Sequence, residues 1–179
     1  MTPSGYKIRR AVPDDIALLP KVELSAGSLF ETYLGETGLT DEIITRVNSI
    51  QDFENARQAG RLWVAVAPQG SVVGFALVLD VGGYAHLDEL DVLPSHGQRG
   101  LGSALLDAVC SWARETDYPA VTLRTFRDVP WNAPFYQHRG FRVVDSSTLS
   151  EEHVALEAIE RERGLRTDLR VTMTYAIAG

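Results

Sequence analysis

A glycine-rich segment, "SHGQRGLGSALL" (residues 95–106), carries the strongest chemical signal in the sequence. Gly97, Gly100 and Gly102 precede an apolar run that is typical of a helix. Two explanations fit. Glycines let a strand turn sharply into a helix. They also leave backbone N–H groups open to an anion at the positive end of the helix dipole. From these residues alone, a tight turn and a phosphate site both remain open.

Two common nucleotide-binding motifs are excluded at this segment. A dinucleotide fingerprint reads G-x-G-x-x-G, and a P-loop ends in Gly-Lys-Ser/Thr. The glycines here run G-x-x-G-x-G from Gly97, and lysine occurs only at positions 7 and 21. The N–H groups from Gln98 to Ser103 would still be unsatisfied in the first helical turn, and Arg99 could add a phosphate contact.

Candidate acid and base groups lie just before the glycines, in "YAHLDELDV" (residues 84–92). A strand's period of two predicts His86 and Asp88 on one face and Glu89 and Asp91 on the other. An imidazole with an ordinary pKa near 6.5 suits a general base at His86. The alternative is a cross-strand or surface histidine. A β-bulge would instead bring Glu89 inward, which makes Glu89 the second candidate base.

The composition predicts one domain spanning residues 1–179. Net charge is −7, from 17 basic and 24 acidic residues, which argues against nucleic-acid binding. No apolar stretch approaches the ~18 residues of a membrane span, and no signal peptide opens the chain, so we expect a cytoplasmic protein without membrane contact. The single cysteine, Cys110, cannot form an intramolecular disulfide, and the four histidines show no metal-ligand spacing.

The order of predicted elements indicates an α/β fold built on a mixed, mostly antiparallel sheet of about six or seven strands flanked by helices. A first strand is followed by a helical region that Pro20 interrupts and by a helix after Thr40. Short turns then join three strands, which predicts an antiparallel meander. The glycine segment and its helix follow. The remaining predicted elements are the strand "AVTLRTF", the short helix "WNAPFYQHRG", the strand "FRVVD", the charged helix "SEEHVALEAIERERG" and the strand "LRVTMTYAIA".

Two stretches, "ELDVLPSHGQRGLGSALL" and "TFRDVPWNAPFYQHRGF", together resemble the GNAT superfamily of N-acetyltransferases. The signature of that family is Q/R-x-x-G-x-G/A after a strand and at the start of a helix. Gly100 and Gly102 match it, whereas Gly97 stands at the Gln or Arg position. The order of elements also matches over nearly the whole chain. The resemblance implies that the glycines cradle the pyrophosphate of acetyl-coenzyme A.

The resemblance also implies where the coenzyme lies. The backbone of Leu90, Asp91 and Val92 would pair with the pantetheine arm in the manner of an added strand. The pyrophosphate would be surrounded by Gly97, Gln98, Arg99, Gly100, Gly102 and Ser103.

Tyr136 is the candidate acid, because a tyrosine at this place in the family commonly faces the coenzyme sulfur. A phenol can protonate or hydrogen-bond the departing thiolate. The resemblance places His86 where some members carry a catalytic base. Asn132 is predicted first as the N-cap of the short helix and second as a pantetheine contact.

The acceptor is expected to rest on the N-terminal helices, with Glu23, Phe30, Tyr33 and Trp131 as candidate pocket residues. Glu23 could pair with an ammonium group, but a solvated helix face is favoured, and the charged helix near the C-terminus is also expected to be exposed. The predicted function is direct transfer of an acetyl group from acetyl-CoA to a primary amine of a small molecule within a ternary complex. The alternative is a non-catalytic acyl-CoA-binding or sensory domain. A homodimer is possible.

Overall fold

The structure is a computed structural model that describes residues 2–177. Its strands are β1 (Lys7–Arg10), β2 (Leu62–Val66), β3 (Val72–Val81), β4 (Tyr84–Val92), β5 (Ala120–Phe126), β6 (Arg142–Val144) and β7 (Arg170–Ala176). Its α-helices are α1 (Leu19–Gly27), α2 (Leu34–Thr37), α3 (Asp41–Ile44), α4 (Ile50–Gln58), α5 (Leu101–Glu115), α6 (Ala133–His138) and α7 (Glu151–Glu162). No helix among residues 2–177 is long and apolar enough to cross a membrane.

The strands form one seven-stranded sheet in the order β1-β2-β3-β4-β5-β7-β6. Every neighbouring pair is antiparallel except β4 and β5, which are parallel. The α/β fold and the β2–β3–β4 meander predicted from the sequence are therefore confirmed.

β4 and β5 separate after only three residue pairs. Ala85, His86 and Leu87 pair with residues 121–123 of β5, and no pairing between these strands continues beyond Leu87 in the described chain. The rest of β4 hydrogen-bonds to β3 on one side only. This splay leaves a row of backbone N–H and C=O groups of β4 facing a gap in the sheet.

A β-bulge at Asp88 changes which side chains of β4 share a face. Leu87 pairs with Val78 and Glu89 pairs with Leu77, so Asp88 is an extra residue opposite β3. Because a bulge shifts the alternation by one residue, His86, Glu89 and Asp91 all lie on the sheet face opposite α5. The strict alternation predicted from the sequence is wrong at this point, and the β-bulge considered as the alternative for this strand is present.

The helices cover both faces of the sheet. Apolar residues of α5, among them Leu105 and Val109, pack with α6 residues in the main core cluster on one face. Helices α1 and α4 pack on the other face, where Phe53 and Phe75 meet edge to face. The two layers hold β4 and its splayed edge rigidly between them.

The N-terminal helical region is more broken than the sequence predicts. As expected from Pro20, a 3-10 helix over residues 13–18 precedes α1. The helix expected after Thr40 stops at Ile44 and resumes at Ile50, where Ser49 and Asp52 form a capping box. The apolar stripe is compatible with one long helix, but this cap satisfies the N–H groups of a new helix start.

Candidate active site

A cavity of about 1130 Å³ opens where β4 and β5 separate. It runs from the glycine segment past the end of β4 to a region walled by α1, α3 and α7. One cavity therefore connects the predicted phosphate cradle with the predicted acid and base groups.

The glycine segment has six backbone N–H groups without a backbone partner among residues 2–177. The backbone hydrogen bonds stop at Gly97, whose N–H donates to Pro94 O at 3.1 Å. They resume at Ala104, whose N–H donates to Gly100 O at 3.0 Å. The intervening N–H groups, from Gln98 to Ser103, include those of the first turn of α5. They can bind an anion at the positive end of a fifteen-residue helix dipole.

The backbone of this segment depends on glycine at one position and leaves free space at another. Gly100 has a φ of +81°, a conformation that L side chains rarely adopt. A Cβ atom on Gly102 would meet nothing closer than Phe135 Cζ at 3.9 Å, so packing alone does not require glycine there. The bare backbone at Gly102 is suited to close approach by a ligand.

Most of the predicted coenzyme-binding residues line the cavity, but their side chains differ in how they are placed. The cavity-lining members are Leu90, Asp91, Val92, Gly97, Gln98, Gly100, Gly102, Ser103 and Asn132. Arg99 is exposed, does not line the cavity, and has its Nη2 atom 3.5 Å from Ser95 O.

The predicted side-chain cap by Asn132 is wrong, although Asn132 is the residue that precedes α6. Its Oδ1 atom accepts hydrogen bonds from Thr125 Oγ1 at 2.6 Å and from the backbone N–H of Phe126 at 3.3 Å. These bonds tie α6 to the end of β5 instead of satisfying the helix N–H groups. The Nδ2 group remains as the part of the side chain that can reach a ligand.

Tyr136 lies on α6 at the edge of the main core and lines the cavity. Its ring packs against Phe135 and Phe141, with centroid distances of 5.0 and 5.6 Å. Burial raises the pKa of its phenol, and the nearby carboxylates of Glu89 and Asp91 raise the pKa further. The hydroxyl is therefore a proton donor throughout the neutral range.

His86 is buried, with 3% of its surface exposed, and is engaged in a polar chain. Its Nδ1 atom lies 3.0 Å from Thr122 Oγ1, which lies 3.0 Å from His153 Nε2. His153 Nδ1 lies 2.8 Å from Ser150 Oγ. Burial, together with the neighbouring His153, lowers the pKa of His86 to about 3. The imidazole is neutral at physiological pH and fastens the sheet to α7.

Three carboxylates follow His86 along β4. Glu89 and Asp91 share the cavity face, and Asp88 occupies the bulge; all three are half-buried. Burial and repulsion from Asp91, Asp88 and Glu23 raise the pKa of Glu89 well above its ordinary value. Burial likewise raises the pKa of Asp88 to about 6 and of Asp91 to about 8. These three carboxylates therefore bind protons at pH values where most carboxylates are already ionised.

Of the four predicted acceptor-pocket residues, Glu23, Phe30 and Trp131 line the cavity. Tyr33 does not; its ring meets the edge of Trp131 at 4.8 Å. The solvated position expected for Glu23 is wrong. Its carboxylate is buried and accepts the backbone N–H and the Nδ2 group of Asn48 at 2.9 and 3.0 Å, and burial raises its pKa to about 7.

Helix α7 is the part of the site that sequence reasoning missed. Leu156, Ile159, Glu160 and Arg163 line the cavity, although the charges of this helix predict an exposed face. Glu160 in fact pairs with Arg124 of β5, whose side chain is 4% exposed. The available signal was an arginine inside the otherwise uncharged "AVTLRTF", because a buried cation requires a carboxylate partner.

Comparison with known proteins is consistent with this geometry. A family model described as "Acetyltransferase (GNAT) family" matches residues 28–141, more than half of the chain. The PaiA N-acetyltransferase of Thermoplasma acidophilum, solved with coenzyme A, is 18% identical with a TM-score of 0.69, and the match covers 98% of this chain and 99% of that chain.

Two further solved structures share the fold. The ribosomal-protein-S18-alanine N-acetyltransferase of Escherichia coli is 17% identical with a TM-score of 0.66, covering 97% of this chain and 95% of that chain. The N-acetylglutamate synthase of Neisseria gonorrhoeae, solved with coenzyme A and N-acetyl-glutamate, is 17% identical with a TM-score of 0.69, covering 97% of this chain and 35% of that chain. With the glycine segment, the splayed sheet and the family match in agreement, the chain belongs to the GNAT acetyltransferase family.

Proposed function

We propose that this protein transfers an acetyl group from acetyl-CoA to a primary amine of a small molecule, by direct attack in a ternary complex. The observation that carries the proposal is the arrangement of one cavity. The cavity joins five of the six free N–H groups (all but that of Arg99), the unpaired edge of β4, Tyr136 and Glu89. Each of these groups meets a different need of the same reaction.

Acetyl-CoA fits the half of the cavity that lies between the glycine segment and the splay. Its pyrophosphate would take the N–H groups of residues 98–103, and Gly102 leaves the space for this contact. The pantetheine amides would hydrogen-bond to the free edge of β4 at Leu90, Asp91 and Val92, as an added strand does. These contacts are made by the backbone, so they do not depend on the unusual Gly97.

Glu89 is the proposed general base, acting directly or through a water molecule. An alkyl amine is mostly protonated at neutral pH and must lose a proton before its nitrogen can attack the thioester carbonyl carbon. A carboxylate whose pKa is raised above its ordinary value is a stronger base than an exposed carboxylate and is matched to that task. His86 is the weaker base because its pKa is lowered to about 3, and we assign it a structural role.

Tyr136 is the proposed acid. When the amine nitrogen forms its bond to the acetyl carbon, the bond between that carbon and the coenzyme sulfur breaks. The departing thiolate takes the Tyr136 proton, and the attacking nitrogen passes its excess proton to Glu89, which has released the first proton to solvent. Both residues regain their starting protonation states by exchange with solvent before the next turnover. Because its pKa is raised, the phenol is protonated before each cycle.

A turnover assay tests the proposal. Purified protein at saturating acetyl-CoA is supplied with a library of primary amines, and thiol release is recorded together with the mass of the acetylated product. We expect thiol release that depends on the amine. Coenzyme binding without thiol release for any amine would contradict enzymatic transfer and support the non-catalytic acyl-CoA-binding alternative.

A further inference from the structure

Helix α7, which lies between β6 and β7, is fixed against the sheet by buried polar contacts. Arg124 donates from Nε to Glu160 at 2.9 Å and from Nη1 to Glu157 at 2.7 Å. Arg170 donates to both oxygens of Glu160 at 3.0 and 3.1 Å. His153 adds its bond to the Thr122 hydroxyl. The helix is therefore a rigid wall of the cavity and not a mobile cover.

Apolar side chains are left exposed inside the cavity. Ile159 of α7 is 41% exposed, Leu29 is 40% exposed and Trp131 is 36% exposed, and all three line the cavity. Leu156 and Phe30 also line it. Apolar surface of this kind gains free energy when an apolar ligand displaces its water. The walls are thus suited to the apolar body of a ligand.

Two walls of the cavity, one formed by α7 and the residues after it and the other by α3 and the residues after it, meet at the end that lies away from the glycine segment. Arg46 Nη1 donates to Arg163 O across the gap at 3.4 Å. Ile43 and Ile44 pack with Leu165 in one apolar cluster. The space beyond the splay is therefore narrowed by side chains from both walls, which favours a compact ligand over a polypeptide that continues past the site.

The charges of the cavity indicate how a ligand would be oriented. Glu89 and Asp91 lie close enough to Tyr136 to raise its pKa, and in their ionised forms they would attract the reacting ammonium group. Around Asp88 the cations Arg163 and Arg170 are balanced by Glu160 and Asp52, and Arg170 is paired with Glu160. Discrimination against a second ammonium therefore rests on the apolar side chains of Leu156 and Ile159. A carboxylate next to the reacting nitrogen would be repelled by Glu89 and Asp91.

We propose that the acceptor is a small primary monoamine with an apolar body, and that Leu156 and Ile159 of α7 recognise this body. This inference rests on the proposed acetyl transfer. It adds a substrate class and assigns specificity to α7.

Three acceptors of one chain length test the class directly. Hexylamine, hexanediamine and aminohexanoate differ only in the group at the far end, which is apolar, cationic or anionic. At saturating acetyl-CoA we expect kcat/KM for hexylamine to exceed that of the other two by about tenfold or more. A short peptide with a free N-terminus should be a poor substrate. A preference for the diamine, the carboxylate or the peptide would overturn the inference while leaving acetyl transfer intact.

A matched pair of α7 variants tests whether this helix recognises the apolar body of the acceptor. Ile159→Ala should raise KM for hexylamine about fivefold, because apolar contact area is lost, with unchanged kcat and unchanged affinity for acetyl-CoA. Val154→Ala is the control, since Val154 is a 45% exposed residue of the same helix outside the cavity.

Equal KM values for the two variants would contradict the role of α7. If acetyl-CoA binds but no acceptor of any class reacts, the proposed transfer fails and this inference fails with it. That result is distinct from a changed acceptor preference, in which only the inference fails.

Discussion

Glu89 and His86 lie on one face of β4, yet their surroundings shift their proton equilibria in opposite directions. Burial and neighbouring carboxylates raise the pKa of Glu89, whereas burial and His153 lower the pKa of His86 to about 3. A base must be unprotonated to accept a proton. Activity that depends on Glu89 should therefore rise with pH as this group, whose pKa is raised, ionises, while His86 is already neutral over the whole range.

The pH profile of kcat separates these two residues. With an amine that is itself neutral throughout the range, wild-type kcat should rise as the pH passes the raised pKa of Glu89. Glu89→Gln should lower kcat by about 10²-fold and flatten the rise. His86→Gln should keep the rise, although its stability falls. A profile that flattens in His86→Gln and persists in Glu89→Gln would reverse the assignment.

Tyr136→Phe should lower kcat by about 10²-fold, because the thiolate loses its proton donor. The affinity for acetyl-CoA should change little, since the ring keeps its packing against Phe135 and Phe141. Tyr175→Phe is a matched control, because Tyr175 stacks on Phe141 outside the cavity lining. Steady-state kinetics and calorimetry on both variants make the test, and equal kcat values in the two would remove Tyr136 from the proposed chemistry.

Single residues differ in how far their roles could be predicted from sequence. The glycine segment and Tyr136 stand in local patterns, so their places at the cavity could be anticipated. Glu23 could not, because its burial depends on Asn48, which is distant in sequence and donates two hydrogen bonds to it. Long-range polar pairing of this kind leaves no local periodicity.

At the scale of elements, the glycine segment combines a tight turn with the proposed anion cradle. Gly100 supplies the positive φ that the turn requires, and Gly102 supplies open backbone at the start of α5. The two roles proposed from sequence are therefore compatible and fall on different glycines.

Substitution of Gly102 tests the anion-binding role of the glycine segment separately from its role in the fold. Gly102→Ala fits sterically and improves helix propensity, so the melting temperature should stay equal or rise. The added methyl group would stand where the pyrophosphate approaches, and we expect acetyl-CoA affinity to fall about tenfold or more. Gly35→Ala, in α2 with nothing within 4 Å, is the control and should leave affinity unchanged. Calorimetric titration compares the acetyl-CoA affinities of the two variants. An unchanged affinity in Gly102→Ala would show that the glycine segment does not bind the pyrophosphate.

The elements themselves were mostly predictable, but only some of their interruptions were: Pro20 signalled one break, and a bulge in β4 could be considered but not located. Hydrophobic alternation and short turns predicted the meander, whereas the bulge at Asp88 arises from the register of β3 against β4. The break between α3 and α4 had a local signal in Ser49 and Asp52 that the apolar stripe concealed. The inward side of α7 depends on the pairing of Glu160 with Arg124, which only the folded sheet brings together.

At the scale of the whole molecule, two layers of helices cover a sheet that is open at one place, and the residues of the proposed chemistry lie there. Carboxylates with raised pKa values bind more protons in the folded than in the unfolded chain. Their contribution to stability is therefore present at low pH and is lost as the pH rises through about 6 to 8 for Asp88, Glu23 and Asp91. As these groups ionise with rising pH the cavity gains negative charge, which a cationic acceptor would offset.

Titration of the wild-type protein with acetyl-CoA, followed by heat of binding and by melting temperature, tests the central claim most directly. We predict binding in the micromolar range. At a coenzyme concentration about 100 times the Kd, the free energy of unfolding should rise by about 2.7 kcal/mol. Absence of both binding heat and a thermal shift would contradict the account. The glycine segment would then be only a turn, and the roles proposed for Glu89 and Tyr136 would be lost with it.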